Sequence, residues 1–487
     1  MEAERIGVKV QTNPDGLGTT LDWVIFLGAA VLLLPFIVIG GAFPDLFSKA
    51  SDFALDWVTS NWGWFYLASV NIFIVVVVVL ALLPCGSIRL GGDDEQPEYS
   101  RLSWFAMLFS AGMGIGLVFW SVAEPLYHFM APPIGEPNTP GAARLALAIF
   151  FHHWGIHAWA IYVAVGLPMA YFQFRQGYQG GVSSSLLPLL AREDSSGRLT
   201  MTPVGSVIAK IVDILAVWAT VLGVVTSLGL GAMQIASGLS ITYGLPDSFS
   251  VTAAVIIVVT LLFILSALSG VSRGIRLLSL GNVVCMLLLL AFFLLFGPQP
   301  YLLQVFFTAC KDYVTNLIPL STTFTLFGNA SWTKAWTIFY WAWWIAWAPF
   351  VGAFIANISR GRTIREFVLV VMILPAIFSF MFSAALSGTS LHMQLFGDVD
   401  MMAIINASVE ATLFATLQHM PMFMITALVA NLLIASFFIT SADSATFVLG
   451  NFTMKSMPAG ARRRNPSSSS GAWCSGRWLW CSSPPGG

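Results

Sequence analysis

Charge is what this chain has least of. Asp, Glu, Lys and Arg make up 9% of its 487 residues, against about 25% in an average soluble protein. With 57% hydrophobic residues, a chain so poor in charge reads as a polytopic membrane protein. The 22 basic and 23 acidic residues leave a net charge of −1, so no nucleic acid or other polyanion is expected as a partner. Cysteine is scarce. Cys85, Cys285, Cys310, Cys474 and Cys481 show neither metal-ligand spacing nor a disulfide framework. No cleavable signal peptide is expected, because the first residues are polar and the apolar run after Asp22 is long enough to span.

Long apolar runs are what the chain has instead. Ten of them, roughly 22–41, 62–84, 102–130, 143–173, 206–237, 249–269, 275–297, 333–357, 365–388 and 422–450, reach the ~20 residues a bilayer requires. The fold class is therefore an all-α polytopic membrane protein. With the N-terminus inside, thirteen basic residues fall on the cytoplasmic side and four (Lys49, Arg144, Lys311, Lys334) outside, a strong positive-inside bias. The outer segments 298–332 and 389–421 mix apolar and polar residues and are expected to lie as amphipathic helices on the outer surface.

One run stands apart, Trp336 to Phe350, WTIFYWAWWIAWAPF. At ~100° per residue, Trp336, Tyr340, Trp343 and Trp347 fall on one helix face. Trp344 and Trp341 widen it on one side and Phe350 on the other. Tryptophan normally concentrates at membrane interfaces, not along a span. A cluster of π faces away from water suits a quaternary ammonium, held by cation–π attraction and dispersion. Packing between helices is the alternative for such a stripe.

Three other spans carry unusual residues. The third contains Ser110-Ala-Gly-Met-Gly-Ile-Gly116, whose glycines weaken a helix by about 1 kcal/mol each relative to alanine. Interrupted helices at membrane depth mark transporter sites, where freed carbonyls hold a cation. Gly112 and Gly116 also fit the small-residue spacing of close helix pairs, and both readings stay open. Glu124-Pro125 is a further polar break. The fourth span carries Trp154, Trp159 and Tyr162 on one broad wheel face, together with His152, His153 and His157. Such a histidine cluster raises a membrane metalloenzyme as a rival reading, although six histidines in the whole chain are few for a di-metal centre. The tenth span holds Phe437-Phe-Ile-Thr440-Ser441-Ala-Asp443-Ser444. Hydroxyls and a carboxylate at that depth are costly unless they serve a pathway, and Thr440 and Ser441 can supply neutral oxygens to sodium. After about Met457 composition changes abruptly, with three arginines, four serines and Pro-Pro-Gly-Gly; residues 458–487 read as an aberrant, frameshift-like tail.

These stretches together resemble the betaine/carnitine/choline transporter family. The likeness rests on Gly112 to Gly116 followed by Phe119 to Phe129, on Trp154 to Tyr162, on Trp336 to Phe350 with Ile358 to Glu366, and on Phe437 to Ser444. It implies two leading helices (22–100) followed by two five-helix inverted repeats, arranged as in sodium-coupled amino-acid transporters. The first repeat would occupy 101–297. The second would come after the outer segment 298–332 and occupy 333–457 with three spans, a chain truncated to about ten spans. The resemblance further implies a substrate site of Trp154, Trp159, Tyr162, Trp343, Trp344 and Trp347 with Gly112, Ile115 and Gly116. A sodium site would use Ser110, Met113, Phe437, Thr440 and Ser441. A second sodium site would use Thr220 and Phe350, with Val224 where a second hydroxyl is needed.

The function implied by this likeness is sodium-coupled import of glycine betaine or a related zwitterion by alternating access through a bacterial inner membrane. No cofactor is implied besides the coupling ion Na+, and homotrimeric assembly is a family trait. Gly116, where choline-selective members tend to carry an aspartate, favours a zwitterion that brings its own carboxylate. A sodium-independent or proton-coupled choline or carnitine carrier is the rival within transport, and a non-transporting remnant is the third reading. The lack of Arg or Lys from Ile211 to Ser240 favours sodium coupling, because sodium-independent exchangers of the family place an arginine near that site.

Overall fold

The structure is a computed structural model. It describes residues 21–178, 181–193, 199–269, 271–322 and 330–454, without the side chains of 110, 111, 113 and 267–276. The expected tail 458–487 and nearly all of the N-terminal segment lie outside the described residues.

Helices dominate, as the apolar runs demand. The membrane-crossing ones are α1 (Trp23–Ala42), α2 (Pro44–Leu82), α3 (Arg101–Met130), α4 (Pro140–Trp154), α5 (Ile156–Ala170), α6 (Pro203–Tyr243), α7 (Phe249–Ser269), α8 (Val271–Phe296), α9 (Phe339–Ile358), α10 (Ile364–Phe396) and α11 (Phe423–Phe452). Counting α4 with α5 as one crossing and the bent α3 as another gives ten among the described residues. Side-chain caps set several starts. Asp22 accepts from the Val24 and Ile25 amides ahead of α1, Ser100 from Ser103 ahead of α3, and Thr202 from Gly205 ahead of α6. Thr363 accepts from the Glu366 amide ahead of α10, and the Thr-x-x-Glu spacing is that of a capping box.

Three boundaries depart from the hydropathy reading. α2 begins at Pro44, not near 62, and its 39 residues reach about 58 Å at 1.5 Å per residue. Proline suits the first helical turn, and nothing breaks the helix after it. α10 runs on to Phe396, so the outer segment starts later than 389. Within that segment Thr412–Gln418 does not lie on the surface: Thr412 to Leu417 are buried, and Phe414 packs so closely on Gly238 of α6 that a Cβ there would lie 2.3 Å from its ring. The helix Tyr301–Thr315 comes nearer the amphipathic expectation. It buries Leu302, Ala309, Asp312 and Tyr313 and exposes Leu303, Phe307 and Val314. It rests on α4 and α10, and Asp312 there pairs with Arg144 of α4.

Part of the packing recurs in matching pairs. α3 lies on α11 as α9 lies on α6, and α3 lies on α10 as α9 lies on α5. α11 packs on α6, and α3 on α9. Exchanging α3 with α9, α4/α5 with α10, and α6 with α11 maps each of these contacts onto another of the set or onto itself. The close packing of α3 on α4 has no counterpart of similar extent between α9 and α10, so the exchange holds for part of the packing only. α3 packs on α9, and Gly116 of the glycine stretch meets Trp343 of the aromatic stripe.

Candidate substrate site between the interrupted helices

The fourth crossing is broken at Gly155 (φ −90°, ψ −147°), between α4 and α5. A Cβ on Gly155 would lie 2.3 Å from the Phe151 carbonyl oxygen and 2.9 Å from both Phe380 and the Tyr313 hydroxyl, so only glycine fits this close approach. The single helical wheel expected for Trp154, Trp159 and Tyr162 is therefore corrected. Trp154 ends one helix, and the other two start the next.

The break and α9 together still gather the rings. Trp159 meets Tyr162 at 5.5 Å, Tyr162 meets Trp344 at 6.2 Å, and Trp344 meets Trp154 at 4.9 Å, all near perpendicular. Trp343 stacks on Trp344 at 5.1 Å and lies 6.3 Å from Trp154. Trp154, Trp159, Tyr162 and Trp344 are each 4% exposed or less. Trp341 does not widen this face. It turns to the opposite side of α9, stacked on His157 at 5.4 Å and edge-on to His152 at 5.2 Å.

α3 supplies the wall facing the rings. Its halves, Arg101–Phe109 and Gly114–Met130, meet at 61°, and the backbone leaves helical values at Gly114. The expected interruption is present. A Cβ on Gly112 would lie 2.3 Å from the Trp159 ring, and one on Gly116 would lie 3.3 Å from Trp154 and 3.5 Å from Trp343. The Ile115 side chain points elsewhere, onto Gly231 of α6.

The residues expected around sodium are partly assembled. Ser441 Oγ lies 3.4 Å from the Cβ position of Gly114, so α11 brings a hydroxyl to the break in α3. Phe437, Thr440 and Ser441 are buried. Thr440 Oγ1 accepts from Asn282 Nδ2 of α8 at 3.1 Å and sits over the Ser436 and Phe437 carbonyls of its own helix. The side chains of Ser110 and Met113 lie outside the described residues. Neutral oxygens beside an interrupted helix are a donor set that suits sodium. Thr220 of α6 and Phe350 of α9 are both buried, on helices that pack together. Gly223, one turn from Thr220, abuts Trp347.

Burial leaves some donors of this region unanswered. Trp343 Nε1, Trp347 Nε1, the Tyr162 hydroxyl and Thr220 Oγ1 are enclosed without a hydrogen-bond partner among the described residues. A cavity of about 570 Å³ lies away from the box, between α2, α5 and the helix Leu317–Thr322, lined by Trp64, Asn71, Ile156 and Leu317.

The histidine triad does not converge. His152 and His157 pack at 4.5 Å ring to ring, and His157 Nε2 lies 2.7 Å from Ser321 Oγ. His153 turns instead to Glu124, because the break at Gly155 takes His157 out of phase. Among the described residues, Glu124, His128 and His153 are the group whose polar atoms lie within 4.8 Å of one another. This group is a hydrogen-bonded hub. Glu124 Oε1 lies 2.7 Å from His153 Nδ1 and 3.2 Å from His128 Nε2, and Oε2 accepts from Trp154 Nε1 at 2.8 Å and from the Tyr340 hydroxyl at 2.5 Å. Trp344 Nε1 donates to the His153 carbonyl at 2.9 Å. In the sequence Glu124 reads only as a polar break. A carboxylate inside a span, with histidine one turn later, was the signal available.

A ten-crossing bundle whose interrupted helices meet around a buried cluster of aromatics has the build of a membrane transporter. Comparison with known proteins agrees. The profile of the BCCT, betaine/carnitine/choline family transporters, matches residues 24–474. The glycine betaine transporter OpuD of Bacillus subtilis (strain 168) is 46% identical over 437 residues, 89% of this chain and 82% of the relative. The ectoine/hydroxyectoine transporter of Virgibacillus pantothenticus is 39% identical over 90% of this chain and 85% of the relative. The high-affinity choline transport protein of Escherichia coli (strain K12) is 38% identical over 88% and 62% respectively. The chain belongs to the betaine/carnitine/choline transporter family.

Proposed function

We propose that this protein is a sodium-coupled symporter that imports glycine betaine, or a related trimethylammonium zwitterion, across the bacterial cell inner membrane, with its N-terminus in the cytoplasm. The observation that carries the reading is the ring of Trp154, Trp344, Tyr162 and Trp159, closed by glycines and edged by unanswered donors. An onium head cannot donate hydrogen bonds, so π faces are its natural solvent, at about 0.5–2 kcal/mol per well-placed contact. A carboxylate on the same molecule gives Trp343 Nε1, Trp347 Nε1 or the Tyr162 hydroxyl the acceptor it lacks. A buried donor without a partner costs about 1–3 kcal/mol, so a zwitterion gains at both ends.

Coupling needs no covalent chemistry. Sodium at the α3 break beside Ser441 and substrate against the rings of the same helix each stabilise one closed arrangement. Each therefore raises the affinity for the other by the same factor. Uptake of labelled glycine betaine into cells lacking other osmolyte carriers tests this, with sodium replaced by potassium in one arm and excess choline in another. Uptake that persists in potassium overturns the coupling, and choline competing as well as unlabelled betaine overturns the substrate.

A further inference from the structure

The Glu124 hub sits directly behind the aromatic ring. Glu124 is fully buried on α3, and its Oε2 meets the indole N–H of Trp154 and the hydroxyl of Tyr340. An indole nitrogen only donates, so this oxygen is an acceptor, and two imidazole nitrogens surround the other. His153, held by Glu124 through its ring and facing Thr337 at 3.0 Å, presents its carbonyl to Trp344 Nε1. The indole N–H groups of Trp154 and Trp344 are thus both taken up on the hub side. What these two residues can offer the box is ring surface.

We propose that Glu124 is a positioning residue that acts through Trp154 to make the box select a charged onium head over an uncharged head of the same shape. The inference rests on the substrate reading above. An anionic acceptor on an indole N–H makes a short, charge-assisted bond, and bonds in such a chain polarise one another. Charge drawn towards the ring deepens the negative potential on its face, which is the surface a cation meets. Among the described residues no lysine or arginine is bonded to the Glu124 carboxylate; Oε1 faces the His128 and His153 rings, and Oε2 touches the box through the Trp154 N–H.

The test compares glycine betaine with 3,3-dimethylbutanoate. They share the carboxylate and the outline and differ only in nitrogen against carbon at the head. Each displaces labelled glycine betaine from the purified full-length protein, and the readout is the ratio of their dissociation constants. In Glu124→Gln the preference for the onium falls about three- to tenfold, the range of one or two weakened cation–π contacts. Glu124→Asp, which keeps the charge, retains it within about twofold. A purely structural role weakens both ligands together and leaves the ratio unchanged, and that result overturns the proposal. If Glu124→Gln does not fold, Tyr340→Phe decides by its sign. Freed of the competing hydroxyl, Oε2 serves Trp154 alone and the preference rises; a fall or no change overturns the proposal. A wild-type protein that binds both ligands equally overturns the substrate reading itself, whereas normal wild-type preference with an unchanged variant overturns only the role of Glu124.

Discussion

Two polar environments lie back to back in the core of this protein, and they are built on opposite principles. Around Glu124 each carboxylate oxygen has two partners, drawn from α3, α4 and α9. On the box side Trp343 Nε1, Trp347 Nε1 and the Tyr162 hydroxyl have none among the described residues. Both regions are buried at membrane depth, where an unpaired polar group is expensive. A carboxylate with both oxygens answered, as at Glu124, adds to the stability of the resting protein, although His128 Nδ1 beside it has no partner among the described residues. An unsatisfied cluster lowers that stability and gains when a ligand arrives. The contrast sets the Glu124 carboxylate as scaffold against the box as site, although orphaned buried atoms also occur away from both, as at Trp218 Nε1 and His152.

The largest effect expected is on the scaffold side. Glu124→Ala leaves an indole N–H, a phenol and two imidazoles without their acceptor. At about 1–3 kcal/mol for each stranded group, the variant should accumulate poorly and lose its monodisperse gel-filtration peak at a temperature well below that of the wild type. Unchanged thermal stability would break the contrast. On the site side, Trp344→Leu removes one ring of the box and its bond to the His153 carbonyl but leaves the four bonds to Glu124 in place. Its melting temperature should fall less than that of Glu124→Ala, since only a cavity and one hydrogen bond are at stake, while the half-saturation concentration for glycine betaine rises about tenfold or more, as loss of one or two cation–π contacts implies. A loss of stability comparable to that of Glu124→Ala would mean that the ring is merely core.

Much of this was legible in the residues. Ten crossings follow from apolar runs, since a bilayer sets a minimum length that few other structures imitate. The interruption of α3 follows from three alternate glycines, and the meeting of Trp154, Trp159, Tyr162 and Trp344 from the family likeness. Other features depend on partners far along the chain. Gly155 is one glycine in an apolar run, a cost of about 1 kcal/mol that a helix readily absorbs; it becomes a break because Phe380 and Tyr313 crowd it. Trp341 reads as part of the stripe, and only the histidines of α4 and α5 show that it faces away. Thr412–Gln418 has a mixed composition that suits a surface, but Gly238 leaves a hollow that Phe414 fills. The four bonds to Glu124 come from residues on three helices, and spacing carries no trace of them.

Smaller substitutions sharpen the comparison. Gly116 lies tight against the box, its Cβ position 3.3 Å from Trp154 and 3.5 Å from Trp343, so an aspartate there reaches the onium site only if the Trp154 ring gives by a few tenths of an ångström. Gly116→Asp should raise the choline-to-betaine affinity ratio about fivefold or more, since the added carboxylate attracts a cation and repels that of a zwitterion. Tyr162→Phe keeps the ring and deletes an unanswered hydroxyl. Stability should hold or rise slightly, and betaine affinity should fall about two- to fivefold if that hydroxyl serves the substrate, the net worth of one hydrogen bond.

Thr220→Val gives the smallest effect, and a direct one. Thr220 Oγ1 is buried on α6 without a partner among the described residues, and one turn on stands Val224, which has no oxygen to offer. A sodium ion needs several oxygens, and one hydroxyl on a helix packed against that of Phe350 is a poor start. The isosteric valine should therefore leave the sodium concentration for half-maximal uptake and the Hill coefficient for sodium within error. It should stabilise the protein by about 1 kcal/mol through removal of a stranded hydroxyl. A Hill coefficient that drops from near two to near one would instead move Thr220 from the idle to the ion-binding side of the comparison, with a backbone carbonyl of α6 or α9 replacing the oxygen that Val224 lacks.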